Sequence, residues 1–172
     1  QRGVVTDFDP ERFDPEADFT RIGRGSLGGK ARGLAFFAHQ LRQRRGLAEK
    51  YTGGTIGVPK TGVVSTEAFD EFIERNQLGG MSSGDRPDAA IQRVFLEGRL
   101  PEWLQRALAG FLRHSAHPLA VRSSSLLEDA LEHPFAGVYA TKMIPNHQAS
   151  ADERFTALCH AVRFVYAATY FK

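Results

Sequence analysis

Glycines crowd one stretch of the chain, at Gly23, Gly25, Gly28, Gly29 and Gly33, and a lysine, Lys30, directly follows the Gly28-Gly29 pair. Glycine lets backbone amides approach an anion closely, a helix N-terminus adds partial positive charge, and a lysine supplies a full one. Leu34, Phe37, Ala38 and Leu41 then fall on one helical face, so the loop opens onto an amphipathic helix ending near Arg45-Gly46. The segment suits a phosphate. It is equally a helix start carrying an exposed lysine, and the residues alone leave both readings open.

A second segment far along the chain has related chemistry. Leu119-Ala120-Val121 reads as a short buried strand, and Arg122-Ser123-Ser124-Ser125 follows it. A planar, multidentate cation at the mouth of a strand, beside several small hydroxyl donors, fits phosphate oxygens. Arg122 paired with Glu128 or Asp129, with serines capping a turn, fits the same residues. Phe135-Ala136-Gly137 returns the chain to a strand through Ile144, and Gly137 permits close approach of backbone to a ligand.

Three named loops compete for the glycine cluster. Gly23-Arg24-Gly25-Ser26-Leu27-Gly28 matches G-x-G-x-x-G, but Asp18 to Ile22 makes a poor buried strand, which a dinucleotide fold requires. A P-loop fails at Arg24 and Ala31, and a protein-kinase loop fails at Lys30, with no H-R-D or D-F-G downstream. The six histidines, His39, His114, His117, His133, His147 and His160, lack metal-site spacing, and no G-x-S-x-G supports a serine hydrolase. Cys159 lies among Phe155, Leu158, Val162, Val165 and Tyr166 at helical spacing and reads as a core thiol.

The elements that must position these groups follow from periodicity and turn residues. Phe8-Asp9-Pro10 and Phe13-Asp14-Pro15 make the first 20 residues an irregular lead-in. Thr61 to Val64 reads as a strand, with Ser65 or Thr66 capping a helix that carries Phe69, Phe72 and Ile73. Leu78 to Pro87 reads as a surface loop. Helices follow at Ala90 to Phe95 and Leu104 to Leu112, the latter starting near Pro101 in its first turn, and a last helix spans Phe155 to Tyr166.

With 172 residues, 42% hydrophobic and 24% charged, the chain has the composition of a soluble globular domain. A formal charge of +2 gives no strong field for nucleic acid or anionic lipid, and Arg42, Arg44 and Arg45 serve the end of a helix. No apolar run is long enough for a membrane span and no signal peptide opens the chain, so a cytoplasmic location is expected. Without an initiator Met, and with an aromatic-rich end, the chain reads as a piece of a longer protein.

Four blocks, Gly28-Gly29-Lys30, Val63-Val64-Ser65-Thr66-Glu67-Ala68-Phe69, Ala120-Val121-Arg122-Ser123-Ser124 with Glu128-Asp129, and Phe135-Ala136-Gly137, occur in that order. Together they resemble the N-terminal nucleotide-binding region of the phosphoenolpyruvate synthase and pyruvate phosphate dikinase family, from about residue 22 to about residue 146. The resemblance implies an α+β fold, the first subdomain of an ATP-grasp domain at 21–172, with helices packed on a small mixed or antiparallel sheet. It implies ATP as ligand, bound by Gly28, Gly29, Lys30, Arg122, Ser123, Ser124, Gly137 and Thr141, with Arg122 also catalytic. Magnesium is expected, with ligands elsewhere. Pyruvate, or another acceptor such as a glucan or an antibiotic, is expected on further domains of the same chain, along with a phosphohistidine, and this piece alone is expected to be inert. A nucleotide-sensing module without phosphoryl transfer is the alternative, because Ser125-Leu126, Val138 and Arg32-Gly33 depart from the family's usual residues.

Overall fold

The chain is described by a computed structural model covering residues 5–9, 19–44, 56–81, 86–124 and 140–171. Phe19–Ile22 (β2) lies between Thr6–Asp7 (β1) and Thr61–Val64 (β3) in a parallel sheet of order β1-β2-β3. Phe19, Thr20 and Ile22 are buried, and Arg21 projects outward to Asp7, which it meets at 2.7 Å. The expectation of a poor strand at 18–22 is thus corrected. A central strand covered on both faces needs no polar alternation, and the small Thr20 fits where a longer polar residue would not. Within the expected lead-in, Thr6–Asp7 forms the sheet's edge.

Gly29–Gln43 (α1) makes the crossover from β2 to the parallel β3. Its buried stripe is Ala31, Ala35 and Ala38, the first two packed with Phe19 and Val63, whereas Phe37 is 60% and Phe36 62% exposed. Periodicity had favoured Phe37 for the inner face. Alanines win there because they let the helix lie close on the sheet, a preference that counting large apolar residues misses.

The larger core joins four helices: Thr66–Arg75 (α2), Asp88–Glu97 (α3), Glu102–Arg113 (α4) and Ala151–Ala168 (α5). Phe72, Phe95 and Leu104 are fully enclosed, and Tyr166 stacks near both Phe69 and Phe72, with centroids 5.0 and 5.3 Å away. Such off-face ring pairs add to simple area burial. Leu78 and Met81 belong to this core, so only part of the expected surface loop is exposed, and residues 82–85 lie outside the described residues. Pro101 is the N-cap of α4 rather than a first-turn residue.

Leu119–Arg122 (β4) pairs antiparallel with Thr141–Ile144 (β5). The strand expected to be buried is only half so, with Ala120 and Arg122 exposed. Arg154 holds this pair against α4 by donating to the Leu112 and Ser115 carbonyls and, at 2.9 Å, to Asn146 Oδ1. Asn146, with φ 54°, donates in turn to the carbonyls of Ser115 and His117. The architecture is therefore α+β, its strands divided between a parallel sheet and an antiparallel pair. Among the described residues no helix is long and apolar enough to cross a membrane.

Candidate functional site

The glycine loop leaves β2 and must turn sharply before α1 begins. Gly23 and Gly25 do so with φ of 89° and 97°, values that side chains disfavour. The start of α2 holds the turn in place. Ser65 N–H donates to the Ile22 carbonyl at 3.0 Å, Thr66 N–H to the Ser26 carbonyl at 3.2 Å, and Glu67 Oε2 accepts the Arg24 N–H at 2.7 Å. Gly23 lies over the buried Ser65 and the indole of Trp103, so closely that a Cβ would stand 2.6 Å from each.

α1 starts at Gly29 with Gly28 as its N-cap, a residue with no side chain to satisfy the first amides. The acceptor comes instead from the remote segment: Ala31 N–H donates to Ser124 Oγ at 2.9 Å. Gly28 itself lies against the Ser124 main chain, where a Cβ would overlap the carbonyl oxygen. The two phosphate-suited segments thus meet. Arg122 is two extended residues before Ser124, a Cα separation of no more than roughly 7 Å, and its register partner is Thr141. Gly28, Gly29, Lys30, Ser123, Ser124, Arg122 and Thr141 are in this way collected at the start of α1 and the adjoining ends of β4 and β5. Gly137, like Glu128 and Asp129, lies outside the described residues.

The electrostatics favour an anion. Every other helix among the described residues has an acid in its first turn: Glu67, Asp88, Glu102, and Asp152 with Glu153. α1 has none, and carries Lys30 at its second position, where the positive end of the macrodipole repels a cation. The Lys30 Nζ is buried, so the reading of an exposed lysine at a helix start is set aside. Arg122 is exposed. Dipole, ammonium and guanidinium together supply positive potential at this place.

The chain matches the family model described as "Pyruvate phosphate dikinase, AMP/ATP-binding domain" over residues 24–172. It belongs to that family. The start of the match falls within the glycine loop, and the matched region includes both segments of the site. A dinucleotide-fold reading of G-x-G-x-x-G no longer fails for want of a strand, since β2 is present. It is displaced by this family, and β3 ends at Val64, followed by Ser65, without the acid that a ribose would need. The dikinase domain is also similar to the "Prodigiosin synthesizing transferase PigC" of Serratia marcescens, 31% identical over 121 residues. That alignment covers 67% of this chain and 12% of the relative. No solved structure matches the domain significantly.

Glu67 and Trp103 are the residues that motif reasoning undervalued. Glu67 was visible only as part of a family block, because an acid in the first turn of a helix is ordinary. Nothing local in the sequence says that its carboxylate reaches across to the glycine loop. Cys159 is buried, as its spacing implied, and burial pushes its thiol up to about 11 against the opposing pull of Arg163, which makes it a poor nucleophile.

Proposed function

We propose that this chain is the ATP-binding part, and the first ATP-grasp subdomain at 21–172, of a phosphoenolpyruvate synthase-like dikinase. The reaction would convert ATP, pyruvate and water to AMP, phosphoenolpyruvate and phosphate, through a phosphohistidine on another domain of the same protein, in the cytoplasm. The observation that carries this reading is the seating of Ser124 on Gly28 and Ala31, which joins the Lys30 and Arg122 segments at one helix N-terminus.

In that arrangement the Gly29 and Lys30 amides and the Lys30 ammonium would hold phosphate oxygens, and Ser123, Gly137 and Thr141 would complete the cover. Arg122 would act as the catalytic cation, countering charge that gathers on the bridging oxygen as a phosphoryl group departs. Magnesium commonly shares that task. Among the described residues no group of three or more His, Cys, Asp or Glu is placed to hold a metal ion, and its ligands would come from other parts of the protein.

The acceptor has a second reading. The relative from Serratia marcescens is named for prodigiosin synthesis, which favours dikinase chemistry directed at something other than pyruvate. One experiment separates the cases: full-length protein with ATP labelled at its β-phosphate, with and without pyruvate. AMP together with an acid-labile labelled histidine is expected. Label that reaches histidine but is never passed to pyruvate selects another acceptor. Tight ATP binding with neither AMP nor labelled histidine overturns the enzyme in favour of a nucleotide sensor.

A further inference from the structure

The glycine loop is held from below by one face of α2. Glu67 Oε2 accepts the Arg24 N–H at 2.7 Å, and Glu71, one turn further, accepts the Trp103 Nε1–H at 2.6 Å. Trp103 in turn supplies the surface on which Gly23 rests. Two carboxylates four residues apart lie on the same side of a helix, so one rigid element fixes the loop directly and through the indole. Gly25, between them, packs against the Thr66 hydroxyl and the Glu67 backbone, at 3.3 and 3.7 Å from where a Cβ would be.

We propose that Glu67 is a positioning residue for nucleotide binding: by accepting the Arg24 amide it fixes the turn that delivers Gly28, Gly29 and Lys30 to the phosphates. This rests on the reading of α1's start as the ATP site. The Arg24 amide sits between two glycines with positive φ, residues whose backbone has little steric restraint of its own. An acceptor there removes backbone freedom that would otherwise be lost on binding. The carboxylate is needed as an acceptor, not as a charge. A negative charge near the phosphates would itself oppose binding, so a neutral amide of the same shape should serve as well or better.

The test uses full-length protein with Glu67→Ala and Glu67→Gln. ATP affinity is read by calorimetry, the KM for ATP and kcat by AMP release, and exchange of the Arg24 amide by deuterium labelling. Glu67→Ala is expected to weaken ATP binding about tenfold, raise KM more than it lowers kcat, and speed exchange at Arg24. Glu67→Gln is expected to recover all three to within about threefold, since its Oε1 still accepts. Glu67→Ala with unchanged ATP affinity, or Glu67→Gln as impaired as Glu67→Ala, overturns the assignment while leaving the ATP site intact. Should Glu67→Ala fail to fold, Glu67→Gln and the Arg24 exchange rate still decide it: rapid exchange in that variant is the negative result. Wild-type protein that binds no ATP overturns both the positioning role and the site on which it depends.

Discussion

At the scale of single residues, the contact between Gly28 and Ser124 sets the strictest demand. A methyl at position 28 would overlap the Ser124 carbonyl, a main-chain group that cannot swing aside as a side chain can. Gly28→Ala should therefore part α1 from β4, with a stability loss of about 1–3 kcal/mol from overpacking and at least a tenfold loss of ATP affinity. Ser124→Ala is milder, since it leaves the backbone seat intact and removes only the acceptor for Ala31 N–H. A stability cost of about 1 kcal/mol is expected, the usual value of a lost helix cap. Urea denaturation with calorimetric titration of ATP checks both. Equal behaviour of the two variants would mean that the hydroxyl, not the close approach, holds the segments together.

Among the elements, the helices α2 to α5 were legible because each repeats large apolar residues at helical spacing, and β3 because Val63-Val64 sits between turn residues. β2 was not legible: Thr20 and Arg21 look unlike strand interior until the partner strands are known, and parallel pairing is a long-range fact. The inner face of α1 was misread for a related reason, since its fit to the sheet depends on the smallness of Ala31, Ala35 and Ala38. The Lys30 and Arg122 segments could be picked out from residue types, but not their meeting, which depends on Ser124 crossing to a helix start 93 positions away. α5 carries a prediction of its own. Burial pushes the Cys159 thiol up from an ordinary value near 9 to about 11, and holds the Tyr166 hydroxyl far above the usual tyrosine range, with the Asp70 charge adding to it. The folded state thus keeps protons that the unfolded state releases. Stability is complete below about pH 9 and falls as pH rises through the folded thiol's value. Urea midpoints measured from about pH 8 to about pH 11 should decline, and Cys159→Ala should flatten the part of the decline between 9 and 11. Parallel curves for the two proteins would show that the thiol contributes nothing.

On the scale of the whole molecule, cohesion is unevenly divided between two cores. The larger joins α2, α3, α4 and α5 through Phe72, Phe95, Leu104, Leu158 and Val162 and takes in Ile22 of β2 and Ile144 of β5, whereas the smaller consists of Phe19, Ala31, Ala35 and Val63 with a few half-buried neighbours. Local opening costs least where few apolar contacts are lost, so α1, whose core residues Ala31 and Ala35 are in the smaller core, should open before the helical core does. The site straddles this boundary. Its strand side, β4, is tied through Arg154 and Asn146 to α4 and α5, while its helix side belongs to the weaker unit. A ligand bridging the two would stabilise chiefly the weaker one, because binding raises the free energy of any opening that destroys the site. In hydrogen exchange on the full-length protein, amides of α1 are accordingly expected to exchange faster than those of α4 and α5 without nucleotide. Saturating ATP should slow α1 at least tenfold and leave α4 and α5 nearly unchanged. Protection that rises equally in all three helices would show that the two cores open as one unit, and protection confined to α4 and α5 would place the nucleotide away from the glycine loop.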